Sequence, residues 1–194
     1  MAVRPKTTRG QARRDQILRA AETVFGTMGY ADASIADITR EARTAQGTLY
    51  IYFRGKDEIF AELVAEMGRL TRDVIARAVA KCDGRLEAER RGLEAFLRFV
   101  AERPELYRIV EEARFVAPAA YRDYFTRFAR AYRQQLERAQ RAGEIRPGNC
   151  EVRAWALMGL AKALGERFVL WDRDTDIEEV VAVAFDMIEH GLAA

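Results

Sequence analysis

Residues Ser34 to Lys56 read SIADITREARTAQGTLYIYFRGK, and this stretch decides the fold. Ser34 and Asp37 form an S-x-x-D signal, in which the serine oxygen accepts from a free N–H of a first helical turn and so marks a helix start. Ile35, Ile38 and Ala42 follow at helical spacing, which gives a short helix ending at Ala42. Arg43 and Thr44 supply a sharp turn, and a second short helix runs from Ala45 to about Phe53. On a helical wheel Leu49 and Phe53 point one way, while Gln46, Gly47, Tyr50 and Ile51 point the other. The first pair anchors the helix and the second set is left to meet something else.

Two short helices joined this way form a helix-turn-helix, whose second helix enters the major groove of DNA, about 12 Å wide. The outward residues suit that use. Gly47 lets the backbone approach closely, Gln46 can offer a bidentate amide to adenine, and Ile51 can pack on a thymine methyl. Thr48, Tyr50 and Tyr52 carry hydroxyls suited to phosphate oxygens. Lys56 opens the next helix, where its charge and the helix dipole both favour an anion. Ser34 and Arg43 complete the set of candidate DNA contacts.

On the N-terminal side, Ile17, Leu18, Ala21, Val24, Phe25 and Met28 predict a helix from about Gln11, stopped by Gly29. Met1 to Gly10, with Arg4, Lys6 and Arg9, reads as a basic arm. On the C-terminal side, a long helix is expected from Lys56 to near Lys81. Another follows, stopping before Arg103-Pro104, because a residue preceding proline is pushed out of the helical region. Further helices are expected from Pro104, from about Ala119 to Ala142, from about Cys150 to Trp171 and from about Asp176 to Gly191, with a loop at Gly143–Asn149. The fold class is all-α with about nine helices. An N-terminal DNA-binding domain would occupy residues 1–55, and residues 56–194 would form a helical body that decides when it reads.

Composition agrees, with 194 residues, 49% apolar, 32% charged and only four prolines. The net charge of +2 hides an asymmetry: residues 1–56 hold ten Lys/Arg against five Asp/Glu, and the remainder hold 22 against 25. A basic first third beside an acidic body points to a polyanion partner for the head. Cys82, Cys150 and the single histidine, His190, lie far apart in sequence, so neither metal-ligand spacing nor a disulfide is expected. Without a Ser/His or Cys/His constellation or a phosphate-cradling glycine loop, an enzyme is not expected, nor is a cofactor. No apolar run reaches the roughly 18–20 residues of a membrane span, so a cytoplasmic protein is expected.

Three runs, VFGTMGY, SIADITREA and GTLYIYFRGKDEIF, resemble the N-terminal domain of TetR-type bacterial transcriptional regulators, over roughly residues 10–65. The resemblance implies that Gln46, Gly47, Thr48, Tyr50, Ile51, Tyr52 and Lys56 supply operator contacts. It also implies that the last two helices pack against a two-fold mate as a four-helix bundle. Three positions depart from the usual pattern. Arg43 stands where glycine is common and is expected to hold a left-handed conformation at a cost of about 1 kcal/mol. Ala45 replaces the usual serine, leaving Thr44 as a substitute cap, and Gly55 replaces a polar cap before the long helix.

For the body, apolar positions on more than one face of the last two helices give a candidate dimer interface of Trp155, Gly159, Ala163, Phe168, Val180, Ala184 and Met187. Aromatics give a candidate effector pocket of Phe96, Tyr107, Phe115, Tyr121, Tyr124, Phe125, Phe128 and Trp155, with Arg114, Arg122 and Arg127 available to an anionic part. The segment RFVAPAAYRDYFTRFARAY loosely resembles regulators that answer to acyl-CoA thioesters. The expected function is a homodimeric repressor, released from a near-palindromic operator by a small apolar or aromatic effector. An architectural or nucleoid-associated DNA-binding protein of the same fold is the alternative.

Overall fold

The computed structural model describes residues 7–172 and 174–192. Residues 1–6 of the expected basic arm lie outside them. Among the described residues there are nine α-helices and one π-helical segment: α1 Thr8–Asp32, α2 Ile35–Glu41, α3 Gln46–Tyr52, α4 Lys56–Val79, α5 Arg85–Glu102, α6 Pro104–Val116, α7 Pro118–Arg141, α8 Cys150–Gly165, a π-helix over Glu166–Trp171, and α9 Ile177–Leu192. The first helix starts earlier than expected because the Thr7 side chain caps it, accepting from the Gly10 N–H at 3.1 Å. No helix of the described residues is long and apolar enough to cross a membrane.

The chain divides into two compact units, the first running to Met67 and taking in Pro104–Tyr124. Its core is the stripe of α1 (Ile17, Ala21, Phe25), the inward residues Ile38, Leu49 and Phe53, the first half of α4 (Ile59, Phe60, Leu63, Val64, Met67) and α6 (Leu106, Ile109, Ala113), all almost fully buried. Helix α6 therefore groups with the N-terminal helices and packs along α1. The approach is close because Gly26 has no side chain: a Cβ there would lie 2.4 Å from Glu105 Cβ and 3.2 Å from Glu105 Cα. Gly29, at φ 76° and ψ 166°, breaks α1 at the expected stop, and three further residues resume the helix.

The second unit comprises Gly68–Arg103 and the chain from Phe125 onward. Here α5 packs on α8, the π-segment and α9. Leu93, Leu97 and Val100 of α5 are buried, as are Ala154, Val169, Val181, Ala184 and Ile188 of the partner helices. At the end of α8, a Cβ at Gly165 would lie in ordinary contact range of Phe96, Leu97 and Val100 of α5. Asn149 caps α8 through the N–H groups of Glu151 and Val152. The preceding loop is closed by the Arg153 guanidinium, which donates to the Arg146 and Pro147 carbonyls at 2.6 and 3.2 Å.

Among the described residues of this unit one charged group, Glu89, is buried. Glu89 pairs with Arg85 at 2.9 Å and accepts from the Tyr132 hydroxyl. Burial pushes its carboxyl above the usual range, against the opposing pull of Arg85. A carboxyl whose folded pKa is raised opposes folding once ionised, so this group's contribution favours the folded state at low pH and is lost as pH rises through that raised value.

The Gly26 contact can be tested. In an open helix Gly→Ala gains up to about 1 kcal/mol, but at Gly26 the new methyl must displace the start of α6. Gly26→Ala is expected to lose about 1–3 kcal/mol of stability, as overpacking does, seen as a lower thermal midpoint by circular dichroism.

Candidate nucleic-acid interface

The helix-turn-helix is assembled from local signals that the structure realises closely. Ser34 is the N-cap of α2: its oxygen accepts from the Asp37 N–H at 3.1 Å, and the Asp37 carboxylate accepts from the Ser34 N–H at 3.0 Å. These bonds, the Ser34 hydroxyl first among them, hold the Asp37 carboxyl below its usual range. A depressed acid stabilises the fold above its ordinary pKa, and that share is lost as pH falls through the lowered value. The hydroxyl of Ser34 is thereby engaged in the cap.

The turn after α2 is a Schellman motif. Arg43 N–H donates to Arg40 O at 3.1 Å and Thr44 N–H to Thr39 O at 3.0 Å, with Arg43 between them at φ 46°. Arg43 is the one non-glycine residue with positive φ among those described. The left-handed conformation expected for it is present, and its side chain is exposed. Gln16 of α1 fastens the turn from behind, donating from Nε2 to Ala42 O at 2.8 Å.

Helix α3 follows with Ala45 as its N-cap and no side-chain cap bond. The expected substitute cap at Thr44 does not form, because the extended Ala45 occupies the capping position and leaves Thr44 one residue too early. Leu49 and Phe53 are fully buried, whereas Tyr50 is 50% and Ile51 67% exposed and Gln46 and Gly47 lie on the surface. Thr48 and Tyr52 are half-buried. Nothing lies within 4 Å of where a Gly47 Cβ would be, so that face is open. Behind α3, Arg14 places its guanidinium 5.0 Å from the centre of the Phe53 ring and pairs with Glu62 of α4 at 3.0 Å.

Lys56 is less available than its position suggests. Its ammonium donates to the carbonyls of Tyr30 and Ala33 at 2.7 and 2.9 Å and lies 4.1 Å from the centre of the Tyr30 ring. Of three donors, one is left for a phosphate. Gly55 is uncapped by any side chain of its own, but Glu58 accepts from the Arg54 N–H at 2.7 Å and closes that turn. Gln16, Arg14 and Tyr30 escape sequence reasoning, since the partners that give them these roles, Ala42, Glu62 and Lys56, lie 26 or more positions away.

Of the aromatic residues, Tyr107 and Tyr124 are buried, Tyr121 is half-buried and Phe115 is 82% exposed, all in the first unit. In the second unit Phe125 stacks on Trp155 at 6.5 Å, Phe128 meets Tyr132 edge-on at 6.4 Å, and Phe96 is half-buried. Among the candidate dimer residues, Trp155, Gly159, Ala163 and Met187 are exposed, Phe168 and Val180 are half-buried, and Ala184 is buried within the chain itself. Val152, Trp171 and Val183, at 62, 70 and 63% exposure, extend that apolar surface.

Residues 17–63 match the family model described as bacterial regulatory proteins, tetR family. The HTH-type transcriptional regulator YdgC of Bacillus subtilis is 26% identical over 186 residues, covering 93% of this chain and 91% of its own. Among solved structures, the fatty acid degradation regulator FadR from Bacillus halodurans superposes with a TM-score of 0.81 at 20% identity, covering 95% of this chain and 96% of that one. FadR from Bacillus subtilis, solved in complex with stearoyl-CoA, gives 0.79 at 18% identity, over 90% and 96%. At such identities the structures establish the shared fold, and the N-terminal match establishes the DNA-binding head. Over residues 17–63 the chain is thus similar to bacterial regulatory proteins of the tetR family, and it shares the fold of the FadR regulators.

Proposed function

We propose that this protein is a homodimeric repressor whose α3 reads a near-palindromic operator and which a small apolar effector releases. The observation that carries the reading is the split of α3: Leu49 and Phe53 are spent on the core, while Tyr50 and Ile51 stand out with no partner to require them. Gln46 and Ile51 are the base-reading candidates; Arg43, Thr48, Tyr50, Tyr52 and the remaining donor of Lys56 are phosphate candidates, as is Ser34 by exchanging its hydroxyl bond to Asp37 for one to a phosphate, with Gly47 giving closeness. The division of labour at about residue 55, with operator binding before it and effector binding and dimerisation after it, belongs to the same proposal, as does a cytoplasmic location.

For dimerisation, Val152, Trp155, Gly159 and Ala163 fall at helical spacing on one open face of α8, and Val180, Val183 and Met187 on one of α9. Such contiguous apolar exposure marks an interaction site, and a two-fold mate presenting the same face would bury it. For the effector, an acyl-CoA is the first candidate, supported by the stearoyl-CoA complex of the Bacillus subtilis FadR. Phe96, Phe125, Phe128 and Trp155, gathered in one unit, are the residues proposed to meet its apolar part.

Footprinting on DNA flanking the gene should give a symmetric protected site of limited extent; uniform protection at any sequence would favour the architectural alternative. Gln46→Ala is expected to relax preference at one base position by about 1–3 kcal/mol, whereas Tyr50→Ala should weaken all sequences alike. Titrating acyl-CoAs of increasing chain length into the operator complex should dissociate it, and indifference to every one removes that effector class. Val183→Asp with Met187→Asp should convert a dimer into monomers in sedimentation velocity and lower operator affinity, while far-ultraviolet circular dichroism stays unchanged.

A further inference from the structure

The break in α1 at Gly29 leaves the Tyr30 N–H off the regular helical ladder, and it donates instead to both carboxylate oxygens of Glu112, at 2.8 and 3.0 Å. The two residues are 82 positions apart, and both belong to the first unit. The carboxylate sits over the break itself: the nearest atom to where a Gly29 Cβ would be is Glu112 Oε1, at 3.6 Å. What Glu112 grips is a junction. The Tyr30 carbonyl accepts from Lys56, the first residue of α4, and the same ammonium holds Ala33 O, next to the N-cap of α2. The Tyr30 hydroxyl donates to Asp57, and its ring packs against Phe25 and Phe60 with centroids 5.8 and 5.0 Å away. The Tyr30 hydroxyl, partly desolvated and bonded to the Asp57 carboxylate, is pushed up to about 12 and stays protonated as a donor.

We propose that Glu112 is a positioning residue for DNA reading: by fixing the Tyr30 peptide it sets, through Lys56, the starting points of α2 and α4, between which α3 is held. The inference rests on the proposed operator binding. It assigns to a carboxylate on α6, far outside the helix-turn-helix in sequence, a part in operator affinity without contact to DNA. Its sign runs against simple electrostatics. Removing a negative charge from a DNA-binding head should tighten binding to any duplex, whereas loss of the junction should weaken binding to the preferred one.

The experiment uses the full chain and two probes: a duplex that the wild type recovers from a random-sequence library, and a scrambled duplex of equal length. Glu112→Ala is expected to bind the selected duplex about tenfold or more weakly, the scale of one charge-assisted bond, while its affinity for the scrambled duplex holds or rises. Glu112→Gln, which keeps an acceptor for the Tyr30 N–H, should recover most of the loss. Amide hydrogen exchange at Tyr30 should accelerate in the Ala variant and not in the Gln variant. Glu112→Asp keeps the charge but shortens the arm by one methylene; it should behave as the Ala variant does, and it decides the matter if Ala fails to fold. Selected-duplex affinity within twofold of wild type despite fast Tyr30 exchange overturns the proposal, as do equal losses on both duplexes or a Gln variant as weak as Ala. A library from which the wild type recovers no preferred duplex overturns the operator-binding reading as well, so the two failures are distinguishable.

Discussion

A seven-residue helix cannot stand alone, and α3 is one. Isolated helices shorter than about 12–15 residues are marginal in water because nucleation is not repaid by enough hydrogen bonds. Helix α3 also lacks a side-chain cap. Its existence rests on burying Leu49 and Phe53, each a large side chain that contributes roughly 1.5–3 kcal/mol when removed from water. Phe53 is held in turn by the Arg14 guanidinium, itself tied to Glu62. With stability concentrated on two inward residues, the outward positions carry little of the fold. Gln46, Tyr50 and Ile51 can then differ between regulators of one fold without unfolding the head.

What was legible in the sequence was local. The Ser34–Asp37 box, the wheel of α3 and the left-handed Arg43 each depend on residues within a few positions of one another, and each is present as expected. The misses depend on geometry that spacing alone does not carry. Thr44 was expected to cap α3, but the cap requires a particular residue in the extended conformation, and the Schellman turn hands that place to Ala45. Lys56 looked free for an anion, yet carbonyls 23 and 26 positions upstream take two of its donors. The grouping of α6 with α1 depends on the absent side chain of Gly26, which in sequence is one small residue within an otherwise ordinary helix.

The second unit illustrates a different limit. Both faces of α8 and α9 carry apolar residues, so spacing alone could not separate the face turned inward from the face left open. Ala184 is buried while its neighbour Val183 is 63% exposed. A stripe displaced by one position reads equally well on a sequence rich in Ala and Val. The π-helix at Glu166–Trp171 adds to this, because its wider turn shifts the register of its own side chains relative to α8. Tyr132, legible only as one more aromatic of α7, is instead bonded to a buried carboxylate. A buried ionic cluster is weak evidence for stability, since desolvation of the charges offsets their attraction.

Regulation of the proposed kind sets an energetic requirement that the head is able to meet. An effector alters operator affinity only by binding the competent and incompetent conformations unequally, and the coupling between two sites is commonly about 1–3 kcal/mol. A hundredfold release needs about 2.8 kcal/mol, at about 1.4 for each factor of ten. A hydrogen bond to a charged group contributes about 1.5–3 kcal/mol net. One such bond, made in the operator-competent state and lost in the other, therefore matches most of the requirement. The bond from Tyr30 to Glu112 is of this class, as are the two from Lys56 to carbonyl oxygens. Because the first two meet at one residue, Tyr30, and the third shares the Lys56 ammonium, a small displacement there would disturb several together. The head thus needs no large rearrangement to lose its grip on DNA, only the release of a junction whose bonds are few, charged and shared.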